Sequence, residues 1–330
     1  MRRLVLAGVA ATSMAVLLWP SCLVEPARSV SAAPRAQDRP AARFRSTTDA
    51  VRVDVQVRQG NRPLHGLTAA DFELRDSGVV QQIEAVSIED VPLTLLLALD
   101  TSSSVEGPML DHLKAAARAA VRALTAEDQA SLLTFTQRVS RAAAPTRDRA
   151  AVHQAIERMG ALGSTSMSDA IFTAITLREK AAGRALLLVF TDGLDTASWL
   201  GTRQVLEAAL RSDLVVYTVT ISSLLVASGG SDSAAVIRRR ATLKRWFESE
   251  PELFPQGLLG EITERTGGEA FYVRDGSQLA PAFSRIVAEF KNRYLLTYAP
   301  KNVLPTGWHP IEVKLKNRRG TVQARRGYWR

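Results

Sequence analysis

Four short, largely apolar runs constrain the fold of this 330-residue chain more than any other feature. They occupy residues 93–99, 130–135, 185–190 and 214–221. A strand with one face in water alternates apolar and polar residues, whereas a largely apolar run is typical of a strand buried on both faces of a parallel sheet. The four runs therefore predict a sheet that is covered by helices on both sides.

Segments with helical periodicity separate these runs. From residue 110 to residue 124, apolar side chains recur every three to four residues, and similar patterns occur at 152–159, 202–210 and 277–290. Strands that alternate with helices predict an α/β fold in which the sheet is doubly wound and mostly parallel. We assign this Rossmann-like domain to residues 91–291.

Shorter strand patterns flank the α/β segment on both sides. Residues 51–58, VRVDVQVR, alternate valine with polar residues, which is typical of a half-buried strand. The other predicted strands lie at 72–76, 81–89, 293–300, 309–316 and 321–329. Neither set of three is large enough to be stable alone. We expect residues 49–90 and 292–330 to form one small β-sandwich, into which the α/β domain is inserted.

The start of the chain has the composition of a secretory signal. Two arginines precede an uncharged apolar run over residues 4–19, and small residues follow at Ser31, Ala32 and Ala33. We predict a signal peptide at 1–33, a linker at 34–48, and a secreted, periplasmic or cell-envelope location with no membrane span in the mature chain. Lipid attachment at Cys22 and retention of the apolar run as an anchor are the alternatives.

Composition and motifs exclude several classes of protein. The formal charge of +9 favours acidic partner surfaces, but the basic residues are not interleaved with aromatic residues as in nucleic-acid readers. The single cysteine excludes an internal disulfide. The four histidines are scattered over different segments, and neither a nucleophile elbow nor a phosphate-binding glycine loop occurs.

Oxygen-bearing side chains gather where the predicted strands end. Asp100 closes the first apolar run, and Ser102 and Ser104 follow it at a spacing of two. Asp192 follows the third run, and Thr165 opens a helix after a glycine turn. Ligands of open α/β sheets bind at the carboxyl ends of the strands, and hard cations take oxygen ligands. The five residues therefore predict a site for a divalent cation.

These loops resemble those of von Willebrand factor type A domains. Residues 100–104, DTSSS, match the D-x-S-x-S signature of that family, and Thr165 and Asp192 match the threonine and aspartate of its second and third loops. One difference is Ser164, where many relatives carry glycine. The resemblance implies a metal-ion-dependent adhesion site, in which Mg²⁺, Mn²⁺ or Ca²⁺ completes its coordination with a carboxylate from a partner protein.

The flanks resemble a narrower group within that family. GLTAADFELRDSG, at 66–78, and RYLLTYAP with ARRGYWR, at 293–300 and 324–330, resemble segments of the secreted bacterial proteins of this type that are abundant in acidobacteria. For this chain the resemblance implies an interaction module without enzymatic activity. The composition predicts no nucleic-acid partner.

Two further residues are candidates for supporting roles. Asp169 lies one turn beyond Thr165 and either supports the site by accepting a hydrogen bond or caps its own helix. Trp199, in the loop after Asp192, either contacts the partner or packs locally. The alternative function is a Mg²⁺-dependent hydrolase on a similar sheet, although Ser102 occupies the position of the second aspartate of aspartate-nucleophile phosphatases.

Overall fold

The computed structural model describes residues 50–60, 62–88, 91–178, 183–192, 195–221 and 255–330. All of them lie in one compact unit, Ser46–Arg330. The predicted signal peptide, the linker and Cys22 lie outside these residues and stay predictions. None of the helices in the described ranges combines the length and the hydrophobicity that crossing a membrane requires.

The described chain begins and ends in strands and alternates strands with helices in between. The strands are β1 (Val51–Gln59), β2 (Arg62–Pro63), β3 (Phe72–Asp76), β4 (Val79–Gln81), β5 (Ile83–Ser87), β6 (Leu93–Asp100), β7 (Gln129–Phe135), β8 (Val139–Thr146), β9 (Arg184–Thr191), β10 (Val215–Ile221), β11 (Ala270–Val273), β12 (Tyr294–Tyr298), β13 (Trp308–Leu315), β14 (Thr321–Ala324) and β15 (Gly327–Trp329). The α-helices are α1 (Pro108–Arg122), α2 (Arg149–Glu157), α3 (Met167–Arg178), α4 (Thr202–Arg211), α5 (Pro255–Thr266) and α6 (Leu279–Lys291).

The largest sheet has six strands in the order β11-β10-β9-β6-β7-β8. All neighbours are parallel except β8, which runs antiparallel to β7 at the edge. The four apolar runs become β6, β7, β9 and β10, so the predicted mixture of strands and helices is confirmed and the sheet is mixed. The sequence did not predict β8, because its alanines and polar residues form no apolar run and it is buried only in part.

Residues of β6 face alternate sides of this sheet. Leu95, Leu97 and Leu99 pack into one apolar cluster with side chains of α1, α2 and α6. Leu96 and Ala98 pack into a second cluster with side chains of α3, α4 and α5. Because both faces are covered, the whole of β6 is buried, which explains why its sequence is nearly uniformly apolar.

The flanking segments form two smaller antiparallel sheets. One has the order β14-β1-β12-β5 with β2 attached to β1, and the other has the order β15-β13-β3-β4. Each sheet combines strands from before and after the α/β segment, as in the pairing of β1 with β12 and of β3 with β13. The predicted strand at 72–76 has the same bounds as β3. The prediction of three strands on each side was wrong, since the structure has five before and four after.

Both small sheets contribute to one apolar cluster. Val53 and Val55 of β1 lie in it together with Leu74 of β3. The rings of Phe72 and Tyr294, which belong to different sheets, meet edge to face with centroids 5.4 Å apart. The two flanks therefore share one apolar core.

Candidate metal site

The predicted site residues Asp100 and Asp192 lie at the carboxyl ends of adjacent strands. Asp100 is the last residue of β6, and Asp192 directly follows β9. These strands are parallel neighbours in a register that places Leu99 beside Phe190. The two loops that leave them therefore start side by side at one edge of the sheet, where ligands of such sheets bind.

A continuous set of hydrogen bonds joins the two strand ends. The Asp100 carboxylate accepts from the Ser102 backbone N–H at 2.9 Å and from the Thr191 hydroxyl at 2.7 Å. The hydroxyl oxygens of Ser102 and Ser104 lie 2.9 Å apart, and Ser104 donates to Asp192 Oδ1 at 2.8 Å. The structure thus brings four of the five predicted ligands together and adds Thr191, which the sequence did not single out.

Both carboxylates lie where ionisation is unfavourable. Asp100 is 0% exposed, and burial raises the pKa of its carboxyl to about 6, against hydrogen bonds from Ser102 and Thr191 that lower it. Burial also raises the pKa of Asp192, against the hydrogen bond from Ser104. Within the described ranges neither carboxylate forms an ion pair with Lys, Arg or His. The site therefore holds buried negative charge that no cationic side chain of the described residues compensates.

The loop that carries Thr165 is attached to the serine loop. The Leu162 N–H donates to the Thr101 carbonyl, and Gly163 exchanges hydrogen bonds with Ser103 through its carbonyl and its N–H, each at 2.9 Å. Gly163 has a φ of +85°, a left-handed conformation that favours glycine. Thr165 itself is buried. The structure therefore places Thr165 in the loop next to the serines, with its backbone fixed.

A third set of contacts attaches the loop after Asp192. The Thr165 carbonyl accepts from the N–H groups of Thr196 and Ala197, both at 2.9 Å. Asp195 accepts from the N–H of Ser168, at the start of α3, at 2.8 Å and from that of Ser198 at 3.2 Å. The sequence analysis missed Asp195, because its contact with Ser168 joins two elements that are distant in sequence. The three loops consequently brace one another.

Asp169 acts on this third loop. Its carboxylate accepts from the N–H of Trp199 at 3.1 Å and from that of Leu200 at 3.0 Å. It therefore neither caps its own helix nor bonds to a predicted metal ligand in the described contacts, but fixes the backbone at Trp199. The Trp199 side chain is 95% exposed, so the interpretation that it packs locally is wrong.

The donor set suits a hard cation. Every side chain brought together at the two strand ends offers oxygen, as carboxylate or hydroxyl, and Mg²⁺ and Ca²⁺ prefer oxygen ligands. In the described part of the chain no group of three or more His, Cys, Asp or Glu residues could hold a metal ion. Cation binding at this site would therefore depend on the hydroxyls as much as on the two carboxylates.

The pKa of Asp100 predicts a measurable effect of pH on the metal-free protein. Its folded-state pKa of about 6 lies above the ordinary value of 3.8, so its contribution to stability is complete below pH ~4 and is lost as the pH rises through about 6. In EDTA, the free energy of unfolding of the wild type should fall between pH ~5 and pH ~7.5. The fall should be about 1 kcal/mol larger than in Asp100→Asn, because the amide at residue 100 does not titrate. Urea denaturation at both pH values measures it, and equal pH dependence in the two proteins would contradict it.

Comparison with known proteins finds a family match in the central segment of the chain. Residues 95–194 match the sequence profile of the von Willebrand factor type A domain. The chain is 31% identical over 109 residues to the uncharacterized protein sll0103 of Synechocystis, a match that covers 31% of this chain and 26% of that protein. The chain thus aligns with about a quarter of the length of this curated relative.

Solved structures of similar proteins come from several bacteria. The von Willebrand factor type A protein of Catenulispora acidiphila is 14% identical, with a TM-score of 0.49 and coverage of 83% of this chain and 74% of that one. The vWF domain of the type V pili tip protein Mfa5 of Porphyromonas gingivalis is 12% identical, with a TM-score of 0.44 and coverage of 61% and 95%. The likeness to the von Willebrand factor type A family rests on the profile match over residues 95–194.

Proposed function

We propose that this chain is a metal-dependent protein-binding module and not an enzyme, since residues 95–194 match the von Willebrand factor type A domain. A divalent cation, Mg²⁺ or alternatively Mn²⁺ or Ca²⁺, is held by Asp100, Ser102, Ser104, Thr165 and Asp192. When bound, the cation supplies a positive centre that a carboxylate of the partner protein can coordinate.

The observation that carries this proposal is the hydroxyl of Ser104. It lies 2.9 Å from the Ser102 hydroxyl and donates to Asp192, so that one side chain connects the oxygen groups of two strand ends. With Asp100 buried behind them and no cationic side chain paired to either carboxylate among the described residues, a cation would compensate the buried charge. The partly exposed position of Asp192 leaves the site open to a ligand from outside.

No feature of the site favours the hydrolase alternative. A hydrolase needs a general acid or base beside the cation, and the described residues with shifted carboxyl pKa values at this edge are Asp100 and Asp192, both of which we assign as cation ligands. We further propose that the chain acts outside the cytoplasm, on the basis of the signal-like residues 1–33. Cleavage of that segment leaves a secreted, periplasmic or envelope protein.

The test is capture of partners with and without the cation. The immobilised protein is mixed with cell-envelope extract in Mg²⁺ or in EDTA, beside an Asp192→Ala variant that is folded in EDTA. Proteins retained by the wild type in Mg²⁺, and lost both in EDTA and with the variant, support the proposal. Equal retention under all conditions contradicts it, and so does EDTA-sensitive hydrolysis in a screen of generic phosphate and ester substrates.

We also propose that the six-stranded sheet is doubly wound and is inserted in a β-sandwich built from both flanks. The support is the apolar cluster that both small sheets share and the helices on both faces of β6. Ending the chain after Lys291 removes β12, the partner of β1, and exposes Val53 and Val55. We expect such a chain to aggregate during size-exclusion chromatography, whereas a soluble, monomeric product would contradict the shared sandwich.

A further inference from the structure

We propose that Leu162 and Trp199 form an apolar rim beside the candidate metal site, and that the partner presents its carboxylate next to a large apolar side chain. The inference rests on the proposed function and narrows the class of partner. The preferred ligand is a protein segment in which one Asp or Glu adjoins an aliphatic or aromatic residue.

Trp199 combines an exposed side chain with a fixed backbone. The side chain is 95% exposed, while the Asp169 carboxylate holds the N–H groups of Trp199 and Leu200 at 3.1 and 3.0 Å. On the preceding turn, Asp195 holds the N–H of Ser198. A tryptophan whose backbone is already ordered loses little conformational entropy on binding, and tryptophan is enriched among residues that dominate binding energy.

Leu162 is arranged in the same way on the neighbouring loop. Its side chain is 73% exposed, and its N–H donates at 2.9 Å to the carbonyl of Thr101, the residue between the candidate ligands Asp100 and Ser102. The next residue, Gly163, forms hydrogen bonds with Ser103 through both its carbonyl and its N–H. Leu162 therefore sits directly beside the serine loop of the site.

The two rim residues occupy loops that are bonded to each other. Thr165, three residues after Leu162, accepts hydrogen bonds from Thr196 and Ala197, which closely precede Trp199. The loop of Trp199 follows β9 at the edge of the sheet where Asp192 lies, and the loop of Leu162, between α2 and α3, is bonded there to the serine loop that follows Asp100. A partner whose carboxylate reaches the cation therefore meets Leu162 or Trp199 with its adjoining side chains.

The charges around the site indicate a single acidic group rather than an acidic run. Exposed Glu106 and the carboxylates of Asp169 and Asp195 lie in or beside the loops of the site and outnumber the exposed cations Arg138 and Arg158 among the described residues there, so the surroundings of the site repel a polyacidic ligand. The two carboxylates of the site also oppose the approach of an anionic lipid surface. One carboxylate at the cation and apolar contact on the rim is the complementary arrangement.

The experiment selects ligands from a displayed library of random short peptides. The purified protein is panned in Mg²⁺ and eluted with EDTA, and affinities of the recovered peptides are measured for the wild type and for Leu162→Ala, Trp199→Ala and Leu304→Ala. Leu304 is a matched control, because it is 74% exposed but lies in the loop after β12. We expect peptides with one acidic residue beside an apolar one, and affinity losses of about tenfold or more for the two rim variants alone.

The possible outcomes distinguish a failure of the apolar rim from a failure of the proposed cation site. Unchanged Mg²⁺ affinity in the rim variants, with weakened peptide binding, supports the rim. EDTA-sensitive binding of peptides without apolar preference overturns the rim but leaves the cation site, and so do peptide affinities of Trp199→Ala and Leu162→Ala that equal that of the wild type. Peptide binding that is insensitive to EDTA, or recovery of no peptide, overturns the inference, as does Trp199-dependent binding to phosphatidylglycerol vesicles in the absence of Mg²⁺.

Discussion

Replacing Asp100 with Asn is expected to weaken Mg²⁺ binding by more than about 100-fold without unfolding the protein. The substitution removes a buried negative charge from the proposed ligand set, and changes that merely disturb the partners of metal ligands already cost about 10–100-fold. The amide has nearly the shape of the carboxylate, so its oxygen can still accept from the Ser102 N–H while its NH₂ group donates to Thr191. Isothermal titration calorimetry in a metal-free buffer measures the affinity.

Asp111→Asn is the matched control for this substitution. Asp111 is an exposed carboxylate in the first turn of α1, outside the three loops of the site, and its replacement should leave Mg²⁺ affinity unchanged. The melting temperature in EDTA near neutral pH should stay the same or rise in Asp100→Asn, because the buried charge is gone. Wild-type Mg²⁺ affinity in a folded Asp100→Asn protein would refute the assignment of the site.

The clustering of Asp100 and Asp192 could be predicted from the sequence, because the ends of their strands can be recognised from local patterns. The apolar runs locate the ends of β6 and β9, and side chains at the ends of adjacent parallel strands must lie close together. Thr191 was not predicted as a partner of Asp100, because their contact depends on the register of β6 against β9. That register is a tertiary property which neither strand encodes alone.

The supporting residues were less predictable for a related reason. Asp169 and Asp195 both accept backbone hydrogen bonds across the gap between α3 and the loop after β9. Sequence spacing gave a choice of two roles for Asp169, and neither described its contact with Trp199. Strand β8 escaped detection because an edge strand with partial burial needs no apolar run. In this chain the four central strands of the six-stranded sheet are encoded locally, whereas β11, which the sequence did not predict either, and the contacts that brace the site depend on the packing.

Removing the side chain of Arg184 is expected to lower the free energy of unfolding by about 3–5 kcal/mol. Arg184 opens β9 and is only 3% exposed at its side chain. Its guanidinium donates to Asp54 of β1 at 2.7 Å, to the Ile88 carbonyl at 3.1 Å and to the Phe290 carbonyl of α6 at 3.0 Å. In Arg184→Met, Asp54 would remain buried without its cation, and the Ile88 carbonyl would lose the guanidinium donor, whereas the Phe290 carbonyl would keep the Arg293 N–H.

Urea denaturation of two further variants separates this buried pair from ordinary surface charge. Arg203→Met removes an exposed arginine that pairs with Glu207 one turn along α4 at 3.4 Å, and should cost about 0.5 kcal/mol or less. The double variant Arg184→Met with Asp54→Leu removes both charges, and should recover part of the loss, because much of the cost of the single change is the buried, unpaired carboxylate. Because Asp54 belongs to the flanking strands and Arg184 to the six-stranded sheet, such recovery would locate the coupling of the two parts at this pair. If Arg184→Met lowers the free energy of unfolding as little as Arg203→Met does, the two parts of the protein are coupled by other contacts.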